Sequence, residues 1–299
     1  MAIDFTLTDE QAALRKTAHD FAQNILKPIA IKADAESDPQ RAFAMMKPAY
    51  KEAHKLGLTF AFIPTEYGGS GASNLDYQIV SEEICSVDPG FGCVLLVNGL
   101  ALMPLVWYGT EEQKKKWLSE AINDQTGEYI AGFNVSEASG TANFDHPGAH
   151  TGLQMTAKHD KEKGEYVLNG SKYWPSSSGG WDLQGANVNL FIVRTDTEKG
   201  GKEGLSGILV PRGVAGMSFK PPIDTFSHRT NQNNWVEFDN CRVPEENAFA
   251  IGDGDLIISK AFTWSGPVAG IAAVGVARAA YEWTMDWAKP TLLAAISPL

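Results

Sequence analysis

Two hydroxyl- and glycine-rich segments hold the residue types from which a binding site is made. The first is Gly132-Phe-Asn-Val-Ser-Glu-Ala-Ser-Gly-Thr-Ala-Asn143. Its hydroxyls and amides can hold a planar ligand with polar edges, and it lies between a helical and a strand-rich region, where ligand sites are common. Taken by itself, a Ser/Gly-rich turn joining two domains explains it more simply. The second is Lys172-Tyr-Trp-Pro-Ser-Ser-Ser-Gly-Gly-Trp181. An indole beside several hydroxyls can stack on an aromatic cofactor and hydrogen-bond to its edge. A core Trp next to a loop is the plain alternative.

Other chemistry-bearing residues point to less. His146 and His150 stand four apart beside Asp145, but Pro147 and Gly148 between them argue for a loop. The helical i,i+4 geometry of a metal pair is then lost, and surface histidines are expected. Gly68-Gly69-Ser70-Gly71 has neither the dinucleotide nor the P-loop spacing and reads as a tight turn. No nucleophile elbow or Ser-His-Asp ordering stands out. Lys114-Lys115-Lys116 reads as a solvated helix face.

The elements that must position these segments fall into three regions. Thr8-Asp-Glu-Gln11 and Thr110-Glu-Glu-Gln113 are capping boxes that open helices. After the first, Leu14, Ala18, Phe21, Ala22, Ile25 and Ile29 recur at helical spacing, and Pro28 belongs near the end of that helix. Further helices are expected over 41–56, 74–86 and 92–108. From Glu128 onward short β-type runs follow, at 129–135, 151–158, 165–168, 190–194, 206–211, 217–221 and 234–238, separated by Gly, Asn, Asp and Pro. Helical texture returns over 256–288, apolar on all sides and therefore expected to be buried on most of them. The expected division is a helical domain over 1–128, a β domain over 129–250, and the start of a further helical domain over 251–299. The fold class is α+β, with a mostly antiparallel barrel or sandwich at its centre.

With 299 residues, 43% of them hydrophobic, the chain can bury a large core and suits about two domains. Its formal charge is 25 Lys+Arg minus 36 Asp+Glu, or −11, without a basic stripe, so nucleic acid and anionic membrane are poor partners. Apolar runs such as Cys93–Leu96 and Val188–Val193 are far shorter than the ~20 residues of a membrane span. The amino terminus lacks the charged start and apolar stretch of a secretory signal. Cys85, Cys93 and Cys241 are odd in number and widely spaced, which excludes a disulfide framework and suits a reducing compartment. A cytoplasmic protein is expected.

In this order the segments resemble the acyl-CoA dehydrogenase family, from Phe5 to about Lys289. The resemblance is carried by Phe5-Thr-Leu-Thr-Asp-Glu-Gln11 with Phe21-Ala22, by Gly57-Leu58 through Pro64-Thr-Glu-Tyr-Gly-Gly-Ser-Gly71, and by Tyr108-Gly-Thr-Glu-Glu-Gln-Lys-Lys-Lys-Trp-Leu118. It continues through Phe133-Asn-Val-Ser-Glu137, Leu168-Asn-Gly-Ser-Lys-Tyr-Trp174 and Val236-Glu-Phe-Asp-Asn-Cys-Arg-Val-Pro-Glu-Glu-Asn247. Each match is weak alone, and six in the correct order are strong. The resemblance implies bound FAD, an acyl-CoA thioester substrate and electron transfer to an electron-transfer flavoprotein. It implies proton removal by a Glu while a hydride passes from Cβ to flavin N5, which needs close positioning and a dry base. By motif position Phe133, Val135 and Ser136 lie along the flavin, with Trp174 and Ser176 against its other part. Asn98, Leu100 and Met103 resemble the helix lining the acyl pocket.

The sequence also departs from the family. Glu137 is followed by Ala-Ser-Gly-Thr-Ala-Asn143 where the family has Pro, two variable positions and Gly-Ser-Asp. The hydroxyl that contacts CoA falls on Thr141 if the loop is one residue shorter, and otherwise on Ala142, which has none. Trp174-Pro-Ser-Ser177 replaces Trp-Ile-Thr-Asn, and 182–189 resembles a small insertion. The helix position at which one subgroup carries its catalytic Glu is Ser265, and the neighbouring CoA-contacting Arg position is Gly266. No catalytic base can be carried over, and Glu282 and Asp286 read as surface charges. The expectation is a carboxy-terminally incomplete acyl-CoA dehydrogenase, part of a homo- or hetero-oligomer. The rivals are a flavin-dependent monooxygenase of the same fold and a non-catalytic subunit of a two-chain complex.

Overall fold

The computed structural model describes residues 6–296. The chain enters α1 (Asp9–Phe21) through the expected capping box: Thr8 Oγ1 accepts from the Gln11 amide, and the Gln11 side chain accepts from the Thr8 amide, both at 3.2 Å. Pro28 does not end the helical rod. A π turn over Ala22–Leu26 leads into α2 (Lys27–Asp34), whose first turn takes the proline where no amide donor is needed. The single stretch expected over 41–56 is two helices, α3 (Pro39–Met45) and α4 (Lys47–Lys55), because Pro48 interrupts the backbone ladder at Met46. The turn at 68–71 is structural: a Cβ on Gly69 would stand 1.9 Å from the Ile63 carbonyl oxygen.

Three more helices follow, α5 (Asn74–Cys85), α6 (Pro89–Tyr108) and α7 (Glu111–Ile122). Asp88 caps α6 by accepting from the Phe91 amide at 2.8 Å. α6 is apolar on every face because it runs through the core, with Phe91 packed toward Phe21, Tyr50 and Leu26, and Leu102 and Leu105 toward Trp117 and Leu118. By length and composition alone, α6 and the last helix could each cross a membrane, contrary to the sequence-based expectation. For α6, burial inside the protein accounts for that character.

The β region comprises β1 (Ala131–Asn134), β2 (Thr156–Asp160), β3 (Glu165–Ser176), β4 (Val188–Arg194), the short α8 (Gly201–Gly204), β5 (Leu205–Pro211), β6 (Met217–Phe219), β7 (Asn233–Pro244) and β8 (Ala248–Phe249). They form one open sheet in the order β6-β7-β3-β2-β4-β5-β8, with β1 alongside β4. Of the expected mostly antiparallel barrel or sandwich, closure into a barrel does not occur, while most strand pairings are antiparallel as expected. The sheet has two free ends, and β4 pairs in parallel with β1 and, at one position, with β2. It nevertheless curls strongly. Phe191 of β4 meets Phe238 of β7 at 4.8 Å between ring centroids, although two strands separate them in the sheet. That curl encloses an apolar cluster on one face. The other face packs on α6 and α7 through Val188, Leu190, Ile192 and Leu209.

The last helix, α9 (Gly254–Ile296), lies along α5 and α6. Its first turns bury Ile257, Ile258, Ala261 and Val268. The expectation of burial on most sides fails further along, where Tyr281, Trp283 and Trp287 are exposed. Among the described residues only α5 and α6 flank it at length, so one face alone is covered.

Candidate functional site

A cleft of about 240 Å³ opens where α6, the exit of β1, the end of β3 and the first turns of α9 meet. One wall is Phe133, Val135 and Ser136, and the facing wall is Tyr173, Trp174, Pro175 and Ser176. Cys93, Leu96, Val97 and Leu100 form the floor from one stripe of α6, and Phe262 closes the end from α9. Of the residues expected along a flavin, all five (Phe133, Val135, Ser136, Trp174 and Ser176) come together here. A hollow of about 370 Å³ beside Lys27, Asp88 and Arg229 contains none of them.

The walls are joined and shaped by specific bonds. The Tyr173 amide donates to the Ser136 carbonyl at 2.9 Å, linking the two segments through their backbones. Trp174 has φ 60° and is 55% exposed, so a bulky side chain is held in the left-handed region and presents its indole at the mouth. Ser177 shares that φ. Such conformations cost about 1–2 kcal/mol each and persist where surrounding contacts hold them. The holding contacts are Asn231 Nδ2 to Ser176 Oγ at 3.0 Å and the Ser177 amide to the Gln232 carbonyl at 2.8 Å.

The two rim hydroxyls are similarly prepared. Ser136 Oγ accepts from Thr141 Oγ1 at 2.6 Å, and Ser176 Oγ accepts from Asn231. Each serine proton is thus left to be donated outward. The cleft therefore offers aromatic and aliphatic surfaces with hydroxyl donors at the edge. A flat aromatic ring whose edge carries acceptors fits this chemistry. The volume suits such a ring rather than an entire dinucleotide, since sites enclosing drug-sized ligands run to ~300–1,000 Å³.

Behind the walls lies a buried ion pair. Lys172 is fully buried, and its ammonium donates to Glu137 Oε1 at 2.7 Å and to the Val135 carbonyl at 2.9 Å. Glu137 also accepts from the Gln154 amide at 2.6 Å and the Met155 amide at 3.0 Å. Burial pushes the Lys172 ammonium below its usual range, and Glu137 opposes that shift. On the floor, burial holds the Cys93 thiol protonated, pushed up to about 11, with Asp88 adding to the effect.

The remaining expected residues lie elsewhere. Asn98 is fully buried, giving its amide to Tyr50 Oη at 2.8 Å and accepting from the Ala131 amide at 3.0 Å. It lies about 100° round the helix from Val97, so it braces the core and does not line the cleft. Met103 packs against the core further down α6. Thr141 reaches the rim only through Ser136, and Ala142 faces solvent. Ser265 is buried in α9 and Gly266 has open space where a side chain would be. Among the described residues, none of those lining the cleft is a carboxylate. Tyr173 and Phe262, and Cys93, Leu96 and Val97 with them, were not singled out from sequence. Their i, i+3, i+4, i+7 spacing with Leu100 is a signal, but α6 is apolar on all faces, so none stands apart.

Comparison with known proteins agrees with this architecture. The chain matches the acyl-CoA dehydrogenase N-terminal domain over residues 8–125 and the acyl-CoA dehydrogenase middle domain over residues 136–241. It is 29% identical to nitroalkane oxidase of Fusarium oxysporum, covering 96% of this chain and 68% of that protein. It is 33% identical to mitochondrial isobutyryl-CoA dehydrogenase of Dictyostelium discoideum, covering 81% of this chain and 52% of that protein. Acyl-CoA dehydrogenase from Bacillus anthracis, solved in complex with FAD, superposes with a TM-score of 0.76 at 28% identity, covering 90% of this chain and 42% of the solved one. The chain thus spans about half to two thirds of the curated relatives it matches. With two domain matches in order across most of its length, this chain belongs to the acyl-CoA dehydrogenase family.

Proposed function

We propose that the cleft holds the isoalloxazine ring of FAD and that the chain forms the flavin side of an acyl-CoA oxidoreductase. The observation that carries this reading is the convergence of two walls, 133–136 and 173–176, with both serine hydroxyls free to donate toward the same space. FAD, when bound, supplies the two-electron acceptor. The chain's own residues bind and orient: Phe133, Val135 and Trp174 offer surfaces to the ring, and Ser136 and Ser176 donate to its edge. The apolar floor of Leu96, Leu100 and Phe262 keeps water from the adjoining space and suits the apolar part of an acyl thioester. The electron acceptor fitting this reading is an electron-transfer flavoprotein, and assembly as a homo- or hetero-oligomer accompanies it.

Visible absorbance of the purified chain, with and without added FAD, tests the reading. Retained or acquired flavin bands that bleach anaerobically with an acyl-CoA are expected, and a chain that takes up no FAD contradicts it. A second reading is a flavin oxidase. It is favoured by the likeness to nitroalkane oxidase over 96% of the chain. Oxygen consumption with a nitroalkane, in place of bleaching by acyl-CoA, distinguishes the two.

A further inference from the structure

We propose that Lys172 and Glu137 are a positioning pair that sets the spacing of the two cleft walls, a role that rests on the cleft being the flavin site. The two residues belong to opposite walls. Glu137 follows Ser136 directly, and Lys172 directly precedes Tyr173. Lys172 turns inward while Tyr173 and Trp174 line the cleft, so its ammonium crosses behind the site to the other wall. There it holds the Val135 carbonyl at 2.9 Å and the Glu137 carboxylate at 2.7 Å.

The carboxylate extends the linkage to a third segment. The Gln154 and Met155 amides, just before β2, donate to its two oxygens at 2.6 and 3.0 Å. Glu137 thereby also fixes the start of the loop that carries Thr141, whose hydroxyl donates to Ser136 on the rim. Beside the ion pair, one backbone bond joins the walls, from the Tyr173 amide to the Ser136 carbonyl at 2.9 Å. A ring held between the walls requires their separation to be right to a fraction of an ångström. The pair is buried, Lys172 at 0% and Glu137 at 6% exposure, so water cannot substitute for either partner.

The test separates positioning from stability. Lys172→Met and Glu137→Gln each leave one buried polar partner, and the double variant K172M/E137Q neutralises both. Melting temperature should fall in each single variant and recover in part in the double. FAD affinity, read by quenching of flavin fluorescence, should fall roughly tenfold or more in Lys172→Met, in keeping with the loss of a charge-assisted bond. It should stay low in the double, because Val135 still lacks its donor. Glu137→Gln, which keeps that donor, should bind FAD better than Lys172→Met at equal melting temperature. Affinity that simply follows melting temperature through the series overturns the proposal. Should Lys172→Met fail to fold, Lys172→Gln keeps a polar group but is uncharged and shorter than the lysine, and its crystal structure reads the walls without cofactor. A Ser136–Tyr173 backbone bond still near 2.9 Å overturns the proposal, and an opened bond supports it. A wild-type chain that binds no FAD overturns the functional reading alone, and that crystallographic comparison still decides the role of the pair.

Discussion

Three glycines in α9 meet different surroundings, and replacing each by alanine gives opposite results. A Cβ on Gly275 would stand 2.5 Å from the Glu82 carbonyl oxygen, 3.1 Å from the Ser86 nitrogen and 3.3 Å from the Cys85 carbonyl carbon, all backbone atoms of α5 or its cap. On Gly266 and Gly270 it would meet nothing within 4 Å. In an open helical position Gly→Ala stabilises by up to about 1 kcal/mol. At Gly275 the same gain is opposed, because α9 must withdraw by roughly 1 Å to restore ordinary contact distance. Overpacking of that kind costs about 1–3 kcal/mol. The withdrawal also strains Arg278, one turn on, whose guanidinium bonds to Glu82 at 2.7 Å and to Glu83 at 2.7 and 2.9 Å. Gly275→Ala should therefore be about 1–3 kcal/mol less stable than Gly270→Ala. In melting temperature the gap is several degrees, at roughly 2–4 °C per kcal/mol. Thermal melts of both variants and of Gly266→Ala, followed by far-UV circular dichroism, provide the measurement. Gly275→Ala melting level with Gly270→Ala, or above it, would refute close helix contact at this position.

Two further predictions concern titrating groups. Burial acts to raise the Glu83 pKa, but the Arg278 guanidinium and His19 outweigh it and hold the carboxyl below its usual range. A carboxyl whose folded pKa is depressed stabilises the fold above its unfolded value, ~4.3, and loses that contribution as pH falls through the folded one. Arg278→Leu should cost about 1–3 kcal/mol at neutral pH, allowing for the partial exposure of the guanidinium, and should flatten the acid limb of urea midpoint against pH. Variant and wild-type profiles running parallel would contradict the coupling. The thiols of Cys85, Cys93 and Cys241 are pushed up by burial to about 12, 11 and 11. The thiolate is the nucleophile, so the native chain should show no rapid reaction with Ellman's reagent, and all three thiols should react in guanidinium. Rapid modification of Cys93 would show that the cleft floor is more open than its packing implies.

Features set by near neighbours in the chain could be recognised in the sequence. The capping boxes at Thr8 and Thr110 form as expected because each is satisfied within four residues. The break at Met46 and the π turn before Pro28 were not anticipated, since proline permits either an end or a rearranged turn. In the β region the runs at 190–194 and 206–211 correspond to β4 and β5. The run at 151–158 shrank to β2, because Thr151 and Leu153 give their carbonyls to the buried Arg194 rather than to a neighbouring strand. Curl without closure depends on strand order, which alternation does not encode.

The site was legible where residue type was unusual for its place and hidden where it was not. Clustered hydroxyls and glycines marked the first wall and hydroxyls beside an indole the second, whereas the floor belongs to a helix whose faces look alike. Lys172 had a signal of its own. In β3 the residues Tyr166 and Leu168 point inward, and the strand's period of two places Lys172 on that same side. A lysine on the buried phase of a strand needs an anion or carbonyl of its own, because unpaired burial would neutralise it. The acid that meets this need is Glu137, from the other candidate wall. Parity along a single strand therefore points to the charged residue most in need of a distant partner, and that partner joins two segments which sequence alone left as separate turns.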